Sequence, residues 1–262
     1  MHEMNKVARP LVVKAGGNAM DPAAETALAQ EIAALTREGR DIVLVHGGGP
    51  EIDAELDRLK IRTERIGGLR ATPAAALAVT ERVLCGSVNK RLVRALLAAG
   101  VRAAGLSGID GAMLQAQAVD RERLGFVGRV TGVDTTALRA LLDAGYVPVV
   151  APLGFDTQTG GALNINADTS AAAIAGALHA QDFVLLTNVT RVRGNETDPS
   201  SGLDRLSLEE AKAFAQSPAC SGSMLPKMQA AIDAVAAGVA RSLIGASSIA
   251  RILQGDATVI TA

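Results

Sequence analysis

The chain has 262 residues, 48% of them hydrophobic, with one Tyr, four Phe and no Trp, so a large core built from Ala, Leu and Val is available to one large domain or two small ones. A formal net charge of −1 without a basic block argues against nucleic acid or an anionic membrane as partner. The two cysteines, Cys85 and Cys220, have neither a pairing framework nor metal-ligand spacing, and no leader-like or membrane-spanning apolar run is read, so a cytoplasmic protein is expected.

Pro10–Val13 is an apolar run that meets Lys14 and a glycine pair, Gly16 and Gly17, which predicts a strand entering a loop. Ala23–Glu38 has helical spacing, with Leu28, Ile32 and Leu35 on one face and Gly39 as the stop. Ile42–Val45 predicts a buried parallel strand, and it runs through His46 into Gly47, Gly48, Gly49 and Pro50. A strand, a glycine nest and a helix start present N–H groups and a dipole to an anion. The right-handed β–α–β crossover puts both glycine loops on one sheet edge, where open α/β sheets bind ligands.

Glu51–Leu59 predicts a helix, and 61–69 a hairpin or loop that delivers Arg70 and Thr72. Pro73 to about Leu84 predicts a helix, and Asn89–Ala99 another. A strand over Val101–Leu106, a glycine turn, a hairpin over Met113–Arg129, a helix over Asp134–Ala144 and a strand over Val147–Pro152 follow. A short strand carrying Asn164 and Asn166 leads to Asp168 and an Ala-rich helix, Thr169–Leu178. The rest reads as a strand over Asp182–Leu186, a polar stretch, a helix over Leu206–Gln216 capped by Ser207, and a helix over Lys227–Ala237. A strand over Arg241–Ile244, a short element over Ile249–Leu253 and a strand over Thr258–Thr261 close the chain. Alternating βα units define the α/β class with a mostly parallel sheet.

Lys14, at a strand end beside glycines, is placed to set a point charge against phosphate oxygens, although a lone lysine is commonly a solvated one. Lys227 gains meaning as its partner, because phosphoryl transfer needs positive charge around the moving group. Asp168 reads as an N-cap. Asn164 and Asn166 share a strand face that recognises a carboxylate or amide, or simply holds a turn. Arg70 offers a bidentate carboxylate site or is a surface arginine. Asp110 and Asp120 have no second carboxylate at motif spacing, so no metal ligand is assigned. His46 reads as a turn residue with its ring hydrogen-bonded, His2 and His179 as structural or exposed, and both cysteines as small apolar fillers. Neither common nucleotide loop motif occurs. The residues alone therefore define an anion or phosphate site on an α/β sheet.

Six segments in order then carry a resemblance over nearly the whole chain: Val13–Met20, Val45–Asp53, Gly68–Thr72, Asn89-Lys90, Asn164–Asp168 and Gly222–Lys227. Together they resemble the amino acid kinase family, most closely its acetylglutamate kinases. The resemblance implies a three-layer α/β/α sandwich with a mostly parallel central sheet. It implies an N-terminal lobe over residues 1–168, for substrate and dimer contacts, and a C-terminal lobe over 169–262, for ATP. The implied reaction moves a phosphoryl group from ATP to the γ-carboxylate of N-acetyl-L-glutamate, the second step of arginine synthesis. In that scheme Lys14 and Lys227 stabilise the transferring phosphoryl and Asp168 orients them. Gly48 and Gly49 bind through their N–H groups, and Arg70 and Asn164 hold the substrate's α-carboxylate and acetamido end. Gly16, Gly17, Thr187, Asn188 and Val189 contact the nucleotide, and Mg²⁺ is held mainly by ATP phosphates.

The chain departs from the family pattern at Asn188, where Asp is frequent, at Arg191, where Gly is frequent, and at Ala257, where Gly is usual. Asn188 and the segment Leu84–Lys90 are also similar to kinases acting on a carrier-protein-linked aminoadipate. That substrate, and a non-catalytic nucleotide or amino-acid sensor on the same fold, stay open as alternatives. With about ten residues ahead of the first strand, the resemblance implies a homodimer without the N-terminal helix of arginine-inhibited hexamers.

Overall fold

All five residues of the first strand, β1 (Leu11–Ala15), are buried. Its alternation therefore separates two cores rather than core from water. Leu11, Val13 and Ala15 join one apolar layer and Val12 the other. Lys14 stands two residues after Val12 and shares its face. The computed structural model describes residues 9–16, 22–195, 197–198 and 200–262, with Pro22 by its backbone. Gly17 and His2, both named above, lie outside the described residues.

After β1 come α1 (Pro22–Arg37), β2 (Ile42–His46), α2 (Gly49–Arg58), the hairpin β3 (Arg65–Ile66) and β4 (Leu69–Arg70), α3 (Ala74–Glu81), α4 (Asn89–Ala98), β5 (Ala103–Ser107), β6 (Leu114–Ala118) and β7 (Val127–Val133). Then follow α5 (Thr136–Asp143), β8 (Val147–Ala151), β9 (Leu153–Asp156), β10 (Ala162–Ile165), α6 (Ala167–Ala177), β11 (Asp182–Leu186), β12 (Arg205–Ser207), α7 (Leu208–Ala215), α8 (Met224–Ala236), β13 (Arg241–Gly245), α9 (Ile249–Leu253) and β14 (Thr258–Thr261).

Eight strands make one sheet in the order β12-β14-β13-β11-β1-β2-β8-β5. The pairs are parallel except β13 with β14. Strands ahead of Asp168 fill the half from β1 to β5, and strands after it fill the half from β11 to β12. The chain leaves β1 in opposite directions in its two halves. That reversal makes the crevice at the C-terminal ends of β1, β2 and β11 a topological switch point. The helices α1 to α4 and α9 cover one face, and α5 to α8 the other. This is the expected three-layer α/β/α arrangement. A small closed sheet of β10, β7, β6 and β9 stands at the same edge, since β9 follows β8 and β10 leads into α6.

Three local readings differ from the sequence expectation. The two helices expected either side of Gly86 form one rod, joined by a π-helical segment over Arg82–Val88. Burial of Val83, Leu84 and Val88 on the sheet outweighs the glycine's low helix propensity. The cap of α6 is Asn166, whose side chain accepts from the N–H groups of Asp168 and Thr169, so Asp168 is not the cap and Asn166 is not on the strand. The strands β9 and β12 were not anticipated, because three or four residues are too few to show a period.

Candidate active site

Three charged side chains converge at the end of β1. Lys14 Nζ lies 2.8 Å from Asp168 Oδ1, and Lys227 Nζ lies 3.7 Å from Asp168 Oδ2. Lys14 comes from the strand, Asp168 from the first turn of α6 and Lys227 from the first turn of α8. Both helices pack on the face that Lys14 shares with Val12. Lys14 and Asp168 are buried, and the Lys227 side chain is 17% exposed. Burial pushes the Lys227 ammonium below the ordinary lysine range; Asp168 opposes that shift and the Lys14 charge adds to it. Two ammonium groups on one carboxylate leave one net positive charge facing the cleft.

Gly16 is part of this arrangement, because a Cβ there would collide with Lys14 Nζ. Across the cleft, Gly48 has φ 156° and ψ 25°, outside the reach of an ordinary side chain. A Cβ on Gly48 would also lie 2.7 Å from Leu84 Cδ2 and 3.3 Å from Val88 Cγ2, both on the buried π segment. The helix α2 starts at Gly49 with Pro50 in its first turn. Its first N–H groups have no intrahelical acceptor and carry the positive end of the dipole.

Arg70 is buried behind this edge. It pairs with Asp53, and its Nη2 donates to Gly49 O at 3.3 Å. Burial works against the charge on Asp53, but the hydrogen bonds and charges of Arg70 and Arg65 outweigh it and hold that carboxyl below its usual range. Asn164 Nδ2 donates to Thr72 Oγ1 at 3.1 Å, and Thr72 Oγ1 donates to Arg70 O at 2.7 Å, so Asn164 and Arg70 are tied through one threonine.

These residues line one cleft of about 370 Å³. It brings together Lys14, Gly16, Gly48, Gly49, Arg70, Asn164, Asp168 and Lys227 from the sequence reading. Thr187, Asn188 and Val189 are not in its lining. They follow β11, where Thr187 N donates to Gly245 O at 3.0 Å. Thr187 instead lines a separate cavity of about 260 Å³ with Leu186, Ser247 and Ser248, at the ends of β11 and β13. Arg191 lines another cavity, with Arg193 and Asp204, and forms ion pairs with Asp204 and Asp256. Sequence reasoning missed Arg65 and Leu84 in the cleft and Asp53 behind it. The β3/β4 register sets Arg65 opposite Arg70, both arginines pair with Asp53 of α2, and the π segment brings Leu84.

Two lysines, two arginines and a glycine-lined helix start give the cleft a lining suited to anions at both ends. Among the described residues no group of three His, Cys, Asp or Glu side chains could hold a metal ion, and none of the helices is long and apolar enough to cross a membrane.

Residues 9–246 match the amino acid kinase family, and the chain belongs to it. Acetylglutamate kinase of Brevibacillus brevis is 41% identical over 235 residues, covering 89% of this chain and 88% of that protein. Acetylglutamate kinase of Methanopyrus kandleri is 40% identical over 255 residues, covering 95% and 99%. Among solved structures, smu.665 from Streptococcus mutans UA159 superposes with a TM-score of 0.83 at 30% identity, over 96% of this chain and 98% of that one.

Proposed function

We propose that this chain is an ATP-dependent kinase that phosphorylates the side-chain carboxylate of N-acetyl-L-glutamate, a step of arginine biosynthesis. The observation that carries the reading is the carboxylate of Asp168 shared by Lys14 and Lys227 opposite the glycine start of α2. Acetylglutamate kinases matching almost the full chain support the choice of substrate.

The chemistry asks little of the protein. A glutamate-like carboxyl has a pKa near ~4.3, so the nucleophile is already ionised at neutral pH and no general base is required. What remains is alignment of a carboxylate oxygen with the γ-phosphorus and neutralisation of the charge that spreads over the phosphoryl oxygens. In this reading the Lys14 and Lys227 ammonium groups face those oxygens, and Asp168 holds both heads in place. The N–H groups of Gly48 and Gly49 complete the cradle from the other side. Arg70 takes the substrate's α-carboxylate, and Asn164 its acetamido group. The nucleotide lies over residues 169–262, on Gly16, Gly17 and the segment Thr187–Val189, while residues 1–168 form the substrate lobe. Among the described residues lining the cleft the one carboxylate is Asp168, already paired with two lysines. The described residues therefore do not make a Mg²⁺ cage, and such an ion would enter on the nucleotide's phosphates.

A homodimer is part of the proposal. It is supported by the open edge of β5, which among the described residues pairs with β8 alone, and by Leu97, 53% exposed on the neighbouring α4. A hexamer on gel filtration would count against it. A cytoplasmic location is proposed with it, a setting that supplies the ATP the reaction consumes.

The direct test is ADP release from MgATP with free N-acetyl-L-glutamate, the acyl phosphate being trapped as a hydroxamate. N-acetyl-aminoadipate is run beside it. Turnover of acetylglutamate alone is expected. Silence on both by a chain that still binds ATP would move the substrate to a carrier-linked acid or make the protein a sensor.

A further inference from the structure

His46 has no task in the reaction just described, yet it is fully buried and both of its ring nitrogens are engaged. It ends β2 on the face shared with Ile42 and Leu44, opposite the lysine side of the sheet. Its Nδ1 lies 2.7 Å from Gly47 O, and its Nε2 lies 3.1 Å from Asn89 Nδ2.

Asn89 determines which ring nitrogen carries the hydrogen. Its Nδ2 also faces Val149 O at 2.8 Å and Leu106 O at 3.2 Å, while its Oδ1 faces Lys90 Nζ at 3.1 Å. A carbonyl only accepts and an ammonium only donates, so the amide has one orientation, with Nδ2 as donor to the ring. His46 Nε2 is then the acceptor. Nδ1 carries the hydrogen and donates to Gly47 O. Burial lowers the pKa of the ring to about 4, so the neutral ring persists through the neutral range.

Gly47 O belongs to the same peptide unit as Gly48 N–H. In a planar trans peptide those two groups point in opposite directions. With the oxygen drawn to the buried ring, the Gly48 N–H is turned the other way, and Gly48 lines the cleft. Gly47 N donates to Ala15 O at 2.8 Å, so the nest is anchored on that side as well. Two features bring Asn89 within reach. The π segment ends at it, and Gly105 of β5 carries no Cβ, which would overlap Asn89 Oδ1.

We infer that His46, oriented by Asn89, is a positioning residue for the reaction: it locks the Gly47–Gly48 peptide so that the Gly48 N–H is aimed in advance at the transferring phosphoryl group. This rests on the reading of the cleft given above. The ring touches neither substrate; it acts through one peptide unit.

Two variants separate this role from mere filling of space. Asparagine can place its amide nitrogen where Nδ1 lies, and glutamine where Nε2 lies. His46→Asn is expected to keep kcat within about threefold, while His46→Gln lowers kcat by about 10- to 100-fold, with KM for ATP and acetylglutamate changed by less than about threefold. Thermal unfolding is followed for both. Equal kcat in the two variants, or losses that track Tm rather than the side chain, would overturn the inference. If neither variant folds, the unmodified enzyme decides: its ¹⁵N-labelled imidazoles, read through two-bond ¹H–¹⁵N couplings at pH 7, should show one buried ring as the Nδ1–H tautomer. An Nε2–H tautomer or an imidazolium for His46 overturns the inference. A wild-type chain inactive on acetylglutamate overturns the reading of the cleft and this inference with it, whereas an active one with equivalent variants overturns the inference alone.

Discussion

Lys14 and Lys227 meet on the two oxygens of a single carboxylate, Asp168, at 2.8 and 3.7 Å, although one lysine comes from the central strand and the other from a helix near the chain's end. The pairing makes the three residues one unit. Lys14→Ala and Lys227→Ala are each expected to lower kcat by about 100-fold or more, with the far-ultraviolet circular dichroism unchanged. The double variant should lose less than the product of the two single losses, because residues that act together are not additive. Wild-type turnover in either single variant would remove that lysine from the mechanism.

The lowered pKa of Lys227 sets the alkaline limit of the reaction. Its ammonium form is the one that faces the phosphoryl group, so kcat/KM should decline as pH rises through a value below the ordinary lysine pKa of about 10.4. The sign for stability is opposite. Between the folded pKa and the higher unfolded one, the unfolded chain holds more protons, so this group's contribution to stability rises with pH. Turnover and the Lys227 contribution to stability should therefore diverge on the alkaline side. A kcat/KM profile flat to pH 10.5 would contradict this.

His46 governs the acid side through stability. Its folded pKa of about 4 lies below the unfolded value near 6.5. Above pH 6.5 both states are neutral at this group. As pH falls toward 4 the unfolded chain takes up a proton that the folded ring refuses, and about 3 kcal/mol of stability is lost from this residue. Urea unfolding of His46→Asn should lack that slope between pH 6.5 and 4, while the carboxylate-dependent loss at lower pH persists. Identical slopes in variant and wild type would contradict the assignment.

Arg70 is held by Asp53 and Gly49 O before any substrate arrives. A pre-set guanidinium binds ground state and transition state alike. Arg70→Lys keeps the charge but loses the fork, so KM for acetylglutamate should rise about tenfold or more while kcat changes little. A fall in kcat at unchanged KM would place Arg70 in the phosphoryl-transfer step instead.

Gly48→Ala combines a forbidden φ with a contact at 2.7 Å to Leu84, which is buried and has little room to move. The expected result is a backbone strain of about 1–3 kcal/mol, seen as a lower Tm, and a kcat reduced by about 100-fold. Adding Leu84→Ala should recover part of the stability and little of the activity, because the N–H stays misdirected. Full recovery of activity would reduce the role of Gly48 to space alone.

The β–α–β opening was legible because its signals are local. Apolar runs mark β1 and β2 as buried on both faces, and glycines mark where they stop. The anion site followed from the same residues. Asp168 shows the limit of that reading. An aspartate at a helix start looks like a cap, but the cap is Asn166, and what distinguishes Asp168 is a pair of lysines delivered by β1 and α8. No local spacing carries that information; only the resemblance to a known family did. The π segment escaped for a related reason, since a single widened turn leaves no period to detect. The pairing of Arg70 with Asp53 joins a hairpin to α2, and that of His46 with Asn89 joins a strand to α4, so both depend on tertiary packing.

The measurement that bears most directly on the central claim uses N-acetyl-L-glutamate labelled with ¹⁸O in both side-chain carboxylate oxygens. A carboxylate oxygen that attacks the γ-phosphorus becomes the bridge of an acyl phosphate, and hydroxylamine then attacks the acyl carbon and releases phosphate with that bridge. The account predicts hydroxamate in step with ADP, and phosphate carrying one ¹⁸O atom per molecule. ADP formed with unlabelled phosphate and no hydroxamate would mean that water, not the substrate carboxylate, receives the phosphoryl group, and the account would be wrong at its centre.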